Sequence, residues 1–280
     1  MPPSVSVIVP TLGRTQDVRD LLCSLVPSTL RPLEIVLVDQ NCSDLLDDIV
    51  AHFSTGDDAL PIRHLKVGLR GLSRAKNYGA RMAQGEVLCF PDDDCQLQPE
   101  TLARGIEFLE DTQGDAIFGR SLSPDGRDAV APFESAIGRL TRAHHEGRFL
   151  DHTIFIKRAV FARAPYDEAL GVGEFHGAEE GHDQVLRLLE AGARLYYSPD
   201  VIFYHPIKVN THQSKAEIRR VFSYRCGLAR LCLKHRLYAK LFGRLTKVVL
   251  ALPVLWLLRR GSARYYAAEL LGLLSGIAVP

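Results

Sequence analysis

The sequence predicts an α/β protein: a doubly wound, mostly parallel sheet followed by a helical C-terminal extension. Three observations lead there. Short β-branched runs alternate with helix-period segments through the first half of the chain, a pattern that yields parallel strands joined by right-handed crossovers. Apolar residues make up 46% of the 280 residues and charged ones 24%, enough to fill a large core and unlike a disordered chain. The chemically conspicuous residues follow directly upon strand signals, on the edge where such sheets bind ligands.

The elements follow in order. Val5-Ser6-Val7-Ile8-Val9 is a β-branched strand ended by Pro10, with a turn at Gly13. Residues 17–26 carry Val18, Leu21, Leu22 and Leu25 on one helical face. Residues 34–39 form a second buried-type strand, and 44–53 a helix capped by Ser43 or Asp44. A short strand at 62–66 precedes a helix at 72–84 that stops before Gly85. The strand at 87–91 runs straight into Asp92-Asp93-Asp94. The helix at 99–111 opens on Pro99, where a missing N–H costs nothing. A strand at 116–119 follows. Residues 121–148 show no period and read as an irregular connection; 149–157 read as extended. A helix at 183–191 and strands at 194–198 and 202–206 complete the α/β part, residues 1–207. In the extension, residues 208–280, helices are expected at 216–237, 241–258 (kinked or broken at Pro253) and 263–274.

A formal net charge of +1 argues against a dedicated nucleic-acid binder. Basic residues nevertheless gather from Lys208 onward: Lys215, Arg219, Arg220, Arg225, Arg230, Lys234, Arg236, Lys240, Arg244 and Lys247, against few acids. The six cysteines form no C-x-x-C pair, which disfavours a zinc ribbon and reads as free thiols in a reducing, cytoplasmic compartment. Met-Pro-Pro-Ser leads directly into the first strand without a basic-plus-apolar leader. The longest apolar run, 248–258, is too short to span a bilayer.

The chemistry centres on Asp92-Asp93-Asp94. Adjacent carboxylates repel one another and persist where a cation neutralises them or water solvates them. A solvated acidic turn is the ordinary alternative. Placement directly after an apolar strand favours a hard divalent cation, Mg²⁺ or Mn²⁺, gripping phosphate oxygens. His205, after an apolar strand and before Pro206, is a metal ligand or an ordinary core histidine. Imidazole suits Mn²⁺ better than Mg²⁺. Arg74 and Lys76 open a helix after Gly71, and one of them is expected to face a diphosphate. Glu180 and Asp183 lie at a helix start, where acids are favourable without any catalysis but are also suitable general bases. The Gly171-Val172-Gly173 loop is too short for a dinucleotide fingerprint. His176, Glu180 and His182 lack the H-E-x-x-H spacing of zinc hydrolases.

Several strings, taken in order, resemble one family. Val5 to Thr11 resembles the opening strand of family 2 glycosyltransferases of the GT-A fold, and Glu34-Ile35-Val36-Leu37-Val38-Asp39 their second strand. Gly71-Leu72-Ser73-Arg74-Ala75-Lys76-Asn77-Tyr78-Gly79-Ala80 resembles their GLSxARNxG helix, and Gly85 to Asp94 their GExixFlDDD metal motif. Glu179-Glu180-Gly181-His182-Asp183 lies where they carry the base, and Tyr204-His205-Pro206 resembles their yHP segment. The sequence departs from the pattern at Leu12-Gly13, Gln40 and Gly181.

The resemblance implies a metal-dependent, inverting glycosyltransferase of the hexosyltransferase type, with residues 1–207 as the nucleotide-sugar-binding and catalytic domain. Pro10, Thr11, Arg14, Asp39, Arg74, Lys76, Asp92 and Asp93 would bind the donor, with Asp39 reading the base. Asp94, Asp92 and His205 would hold Mn²⁺ or Mg²⁺. Glu180 is the first choice as base and Asp183 the second. The acceptor would be a saccharide or lipid-linked saccharide in cell-surface glycan assembly. The basic, apolar residues 208–280 would either lie on the inner face of the cell membrane or pack on the catalytic domain or a second copy. A sugar nucleotidyltransferase and a non-catalytic nucleotide-sugar-binding scaffold are the alternatives.

Overall fold

The computed structural model of the chain describes residues 2–207, 211–258 and 262–279. Lys208, first residue of the expected basic tail, lies outside them. The described chain forms two compact units: residues Met1–Arg70, Arg74–Pro165 and Val185–Ile207 form one, and Gly71–Ser73, Tyr166–Gln184 and Lys208–Pro280 the other. Relative to the expected division at 207/208, residues 71–73 and 166–184 group with the C-terminal helices.

The first unit is built on a nine-stranded sheet. Strands β1 (Val5–Thr11), β2 (Glu34–Asp39), β3 (Ile62–Lys66) and β4 (Val87–Cys89) are mutually parallel in the order β3-β2-β1-β4. Beyond β4 the sheet continues through β8 (Ile154–Lys157), β6 (Ala116–Leu122), β9 (Leu195–Tyr204) and β5 (Gln96–Leu97). β8 lies antiparallel between β4 and β6, β6 pairs β9 in parallel, and β7 (Gly138–Arg139) pairs β9 in the antiparallel sense. β1 and β2 are buried at every position, as strands covered on both faces must be. Pro10 is tolerated in β1 because the β1–β4 ladder ends at Val7, so its missing N–H breaks no bond there.

Helix α1 (Gln16–Leu25) turns Val18, Leu21, Leu22 and Leu25 onto this sheet, the face read from their spacing. α2 (Asp47–Phe53), α3 (Leu72–Met82) and α4 (Thr101–Asp111) follow their strands. α2 does not begin at the expected cap: the Asp44 carboxylate is bound to Lys66 at 2.7 Å, and Leu46 precedes the helix without a side-chain cap. β6 reaches Leu122 rather than stopping at Gly119. A side chain at Gly119 would collide with the Val201 carbonyl, and the β6–β9 register shifts at that point. β9 is continuous where two strands were expected. The connection expected to be irregular contains β7; a 3-10 turn (Asp151–Thr153) leads into β8, and α5 (Arg158–Phe161) follows it.

In the second unit, α7 (Lys215–Lys234) starts at a capping box formed by Ser214 and Glu217. α8 (Tyr238–Leu257) runs through Pro253 without breaking, and α9 (Ala263–Ala278) packs on α7. The α7–α9 approach depends on Gly276, where a Cβ would lie 2.7 Å from the Cys226 Cα. Leu228, Ala229, Cys232, Leu241, Val248 and Leu273 form a separate small core. Among the described residues no helix is long and apolar enough to cross a membrane.

Candidate active site

Parallel register places Thr11 beside Asp39 at the ends of β1 and β2. The loop after β4 brings Asp93 to the same rim, where the Thr11 hydroxyl donates to Asp93 Oδ2 at 2.8 Å. Arg14, in the turn after β1, lies 2.6 Å from Asp94 Oδ2 and 3.3 Å from both Asp93 Oδ1 and Asp17 Oδ2. Burial pushes the Asp93 carboxyl up to about 6, against the pull of Arg14 and Thr11, with Asp92 and Asp94 adding to the push. The same carboxylates hold Arg14 above its ordinary value despite its partial burial. Pro10-Thr11, Asp39 and the triple aspartate, which as strand-end residues are expected on one edge, lie at this rim of the first unit, and Arg14 joins them.

Lys76 is fully buried on α3, 2.6 Å from Asp151 Oδ2 and 3.6 Å from Asp92 Oδ1. Of the expected pair it is the one at the acidic cluster, whereas Arg74 on the same helix is exposed. A long cationic side chain with no solvent contact requires anionic partners, and Asp151 and Asp92 supply them. Against its own burial, the Lys76 charge and His152 hold the Asp151 carboxyl below its ordinary range. His152 stacks on His205 at 5.0 Å between ring centroids and lies 3.7 Å from Asp92 Oδ2, and burial lowers its pKa. Its Nε2 is 2.9 Å from the Ser121 hydroxyl. Neither Asp151 nor His152 was expected, because both lie in a stretch read only as extended, with no motif to single them out.

Asp92, Asp94 and His205 present oxygen and nitrogen atoms within 4.8 Å of one another. Two features fit a divalent cation. Asp92 Oδ1 is buried without a hydrogen-bond partner. His205 Nδ1 lies 2.9 Å from the Pro206 carbonyl, which can only accept, so Nδ1 carries a proton, and the ring is held with its Nε2 3.3 Å from Asp94 Oδ1. The backbone bond to Nδ1 is the usual way of orienting a ligating imidazole. The set O, O, N suits Mn²⁺.

Asp39 is fully enclosed. Its Oδ1 accepts from the Asn41 backbone and side chain at 2.8 and 2.7 Å, and its Oδ2 lies 2.9 Å from His64 Nε2. Asn41 in turn accepts from the Gly13 N–H at 2.7 Å. The expected strand-end acid therefore organises the loop after β1 through Asn41. The short Asp39-Gln40-Asn41 spacing was a visible turn signal, while the pairing with His64 arises only from the β2–β3 register.

In the second unit, α6 (Glu180–Glu190) begins at Glu180, earlier than the expected residue 183. Glu179 just before it has φ 76°, a strained left-handed conformation for a residue with a side chain. Glu180 is 7% exposed. Its carboxyl sits over Gly171, where φ is 108° and a Cβ would approach it within 3.3 Å and the Ser73 hydroxyl within 2.7 Å. Ser73 donates to the Leu170 carbonyl, and the Leu72 N–H to that of Val172. The Gly71-Leu72-Ser73 turn and the 171–173 loop thereby brace each other beside Glu180. Asp183 is fully buried, 2.8 Å from His235 Nε2 and 2.7 Å from Lys234 Nζ.

The model of the family described as Glycosyl transferase family 2 matches residues 6–168. The chain is 26% identical over 211 residues to the glycosyltransferase AglE of Haloferax volcanii, covering 74% of this chain and 68% of that protein. It is 28% identical over 254 residues to the uncharacterized glycosyltransferase EpsJ of Bacillus subtilis, covering 83% and 73%. Among solved structures it resembles the mannosyltransferase PcManGT of Pyrobaculum calidifontis in complex with GDP-Man and Mn²⁺, with a TM-score of 0.62 at 20% identity over 100% of this chain and 87% of that one. That likeness establishes the GT-A fold. A family model matching more than half of the chain, on a sheet whose strand ends carry the family's acidic motif, leads to one conclusion: the chain is a transferase that belongs to glycosyltransferase family 2.

Proposed function

We propose that this glycosyltransferase is metal-dependent and inverting, and moves a sugar from a nucleoside-diphosphate donor to a saccharide or lipid-linked saccharide acceptor. The observation that carries the reading is the Asp92–Asp94–His205 cluster at the sheet's ligand-binding edge, with an Asp92 oxygen that accepts no hydrogen bond. A divalent cation bound there would grip the diphosphate and stabilise the charge of the leaving group. Arg14 and Lys76 add fixed positive charge on either side of the aspartates. Thr11 and Arg14 hold Asp93, and Asp39 shapes the base-binding loop through Asn41.

Glu180 takes the proton of the acceptor hydroxyl as its oxygen bonds to the anomeric carbon and the carbon–oxygen bond to the diphosphate breaks on the opposite side. Asp183 is a positioning residue in this reading, because its carboxylate is already engaged by His235 and Lys234. The GDP-Man and Mn²⁺ held by the structural neighbour support a sugar nucleotide and Mn²⁺ as the first ligands to try. The basic, apolar C-terminal helices would contact the membrane that carries a lipid-linked acceptor.

The test is a thermal-shift panel of UDP, GDP, dTDP and CMP sugars with and without Mn²⁺. One donor raises the melting temperature only with metal, and Asp94→Ala abolishes the rise. A panel in which no sugar nucleotide stabilises the protein with metal refutes the reading.

A further inference from the structure

The second unit contains a cavity of about 420 Å³ that the donor chemistry does not use. Arg225 on α7 and Lys240, Arg244 and Lys247 on α8 line it, with Glu179 and Leu228. Glu269 on α9 is fully buried and holds two of these cations. Its Oε1 lies 2.6 Å from Arg225 Nε and 2.5 Å from Arg244 Nε, and its Oε2 is buried without a hydrogen-bond partner. Both guanidinium groups are thereby fixed in place while their side chains remain 24% and 36% exposed. Lys240, Gly243, Arg244 and Lys247 fall on one face of α8. Gly243 leaves open space there, since nothing lies within 4 Å of a Cβ added to it.

α8 also carries exposed apolar side chains. Phe242, Val249 and Trp256, each seven residues apart, are 64%, 50% and 76% exposed, with Leu250 and Leu257 beside them at 68% and 76%. By helical spacing Leu250 and Leu257 lie next to the basic row, and Phe242, Val249 and Trp256 lie beyond them, on the far side of α8 from Lys240 and Lys247. A cationic cavity next to an apolar helix surface matches a ligand with an anionic head and a hydrocarbon tail. Amphipathic helices with basic and apolar faces bind membrane surfaces in this way.

We infer that the cavity between α7 and α8 binds the phosphate headgroup of a membrane lipid while the apolar surface that begins at Leu250 and Leu257 and continues to Trp256 enters the acyl region. The inference rests on the membrane contact proposed above and adds to it a defined phosphate site. Charge complementarity selects a phosphate, and the apolar surface selects a lipid over a free anion.

Trp256 is the chain's one tryptophan, so its fluorescence reports on that surface without labelling. The full chain is titrated with phosphatidylcholine vesicles with or without phosphatidic acid, and separately with inorganic phosphate and pyrophosphate. Emission is expected to shift to the blue only with phosphatidic acid. Lys240→Ala/Lys247→Ala weakens binding by about 10- to 30-fold, from the loss of two cations. Gly243→Leu fills the cavity while keeping every charge, is favourable to the helix, and weakens binding by about tenfold or more. Both variants keep the metal-dependent thermal shift with the sugar nucleotide, which shows that fold and donor site are intact.

A Gly243→Leu protein that binds vesicles like the wild type overturns the phosphate site and leaves the membrane contact standing. A wild type that ignores all vesicles overturns both. An equal emission shift with pyrophosphate alone, or on raising protein concentration without lipid, assigns the surface to a free anion or to self-association and overturns the lipid reading. Failure of the donor reading appears separately, as a missing thermal shift with sugar nucleotides.

Discussion

Asp183 and Glu180 are both acids at the start of one helix, and only their surroundings separate them. Asp183 is spent on a buried network with His235 and Lys234, whereas Glu180 lies against the Gly171 turn. Glu180→Gln is expected to lower turnover by roughly 10²–10⁴-fold, the usual worth of a general base, with the donor thermal shift unchanged. Asp183→Asn is expected instead to lower stability by about 1–3 kcal/mol, because it removes the charge of a buried carboxylate held by His235 and Lys234; urea denaturation reads the difference. Thr11→Val removes the hydroxyl that donates to buried Asp93 and is expected to cost about 1–3 kcal/mol at neutral pH in the same measurement.

At the scale of elements, Glu34 ties the start of β2 to its neighbours. It accepts from the Ser6 hydroxyl at 2.8 Å on β1, the Arg63 guanidinium at 2.6 Å on β3 and the Gln84 N–H after α3. Against its burial, Arg63, Gln84 and Ser6 hold its carboxyl below the ordinary value. A depressed carboxyl pKa stabilises the fold above the unfolded value of about 4.3 and ceases to do so as pH falls through the folded one. Glu34→Gln is therefore expected to melt below the wild type at pH 7, with the gap closing as pH drops under about 4. Gly171 is the second such element: with φ at 108° and Ser73 within 2.7 Å of any Cβ, Gly171→Ala is expected to cost about 1–3 kcal/mol and to displace Glu180. Turnover falling together with melting temperature would bear this out, and an unaffected enzyme would not.

For the molecule as a whole, the acidic rim is a cost that binding can recover. Carboxylates held together at a sheet edge repel, and a ligand that favours the native state stabilises it in proportion to its saturation. Mn²⁺ at about a hundred times its Kd is expected to add roughly 2.7 kcal/mol, a rise of several degrees in melting temperature, and Asp94→Ala or His205→Ala to remove most of it. Much of this was legible in the chain. β1, β2, β4 and α1 follow from β-branched runs and from the spacing of Val18, Leu21, Leu22 and Leu25, because local periodicity dictates them. Asp92–Asp94 followed from the apolar strand that precedes it. Asp151 and His152 were not legible, since they reach Asp92 through β8, inserted antiparallel between β4 and β6 after an aperiodic connection. The cap of α2 was misplaced because Lys66, on a strand far along the chain, claims Asp44.

By itself the sequence determined the strand–helix alternation, the family and the acidic motif, because each depends on neighbours within one or two turns of chain. Tertiary structure decided which of Arg74 and Lys76 is buried, that Asp183 pairs with His235 and Lys234 while Glu180 borders a glycine turn, and that Arg225 of α7 joins the basic row of α8 around one cavity. Those outcomes depend on burial and on pairing across long separations, where the energy of a charge is set by the partners that folding brings to it.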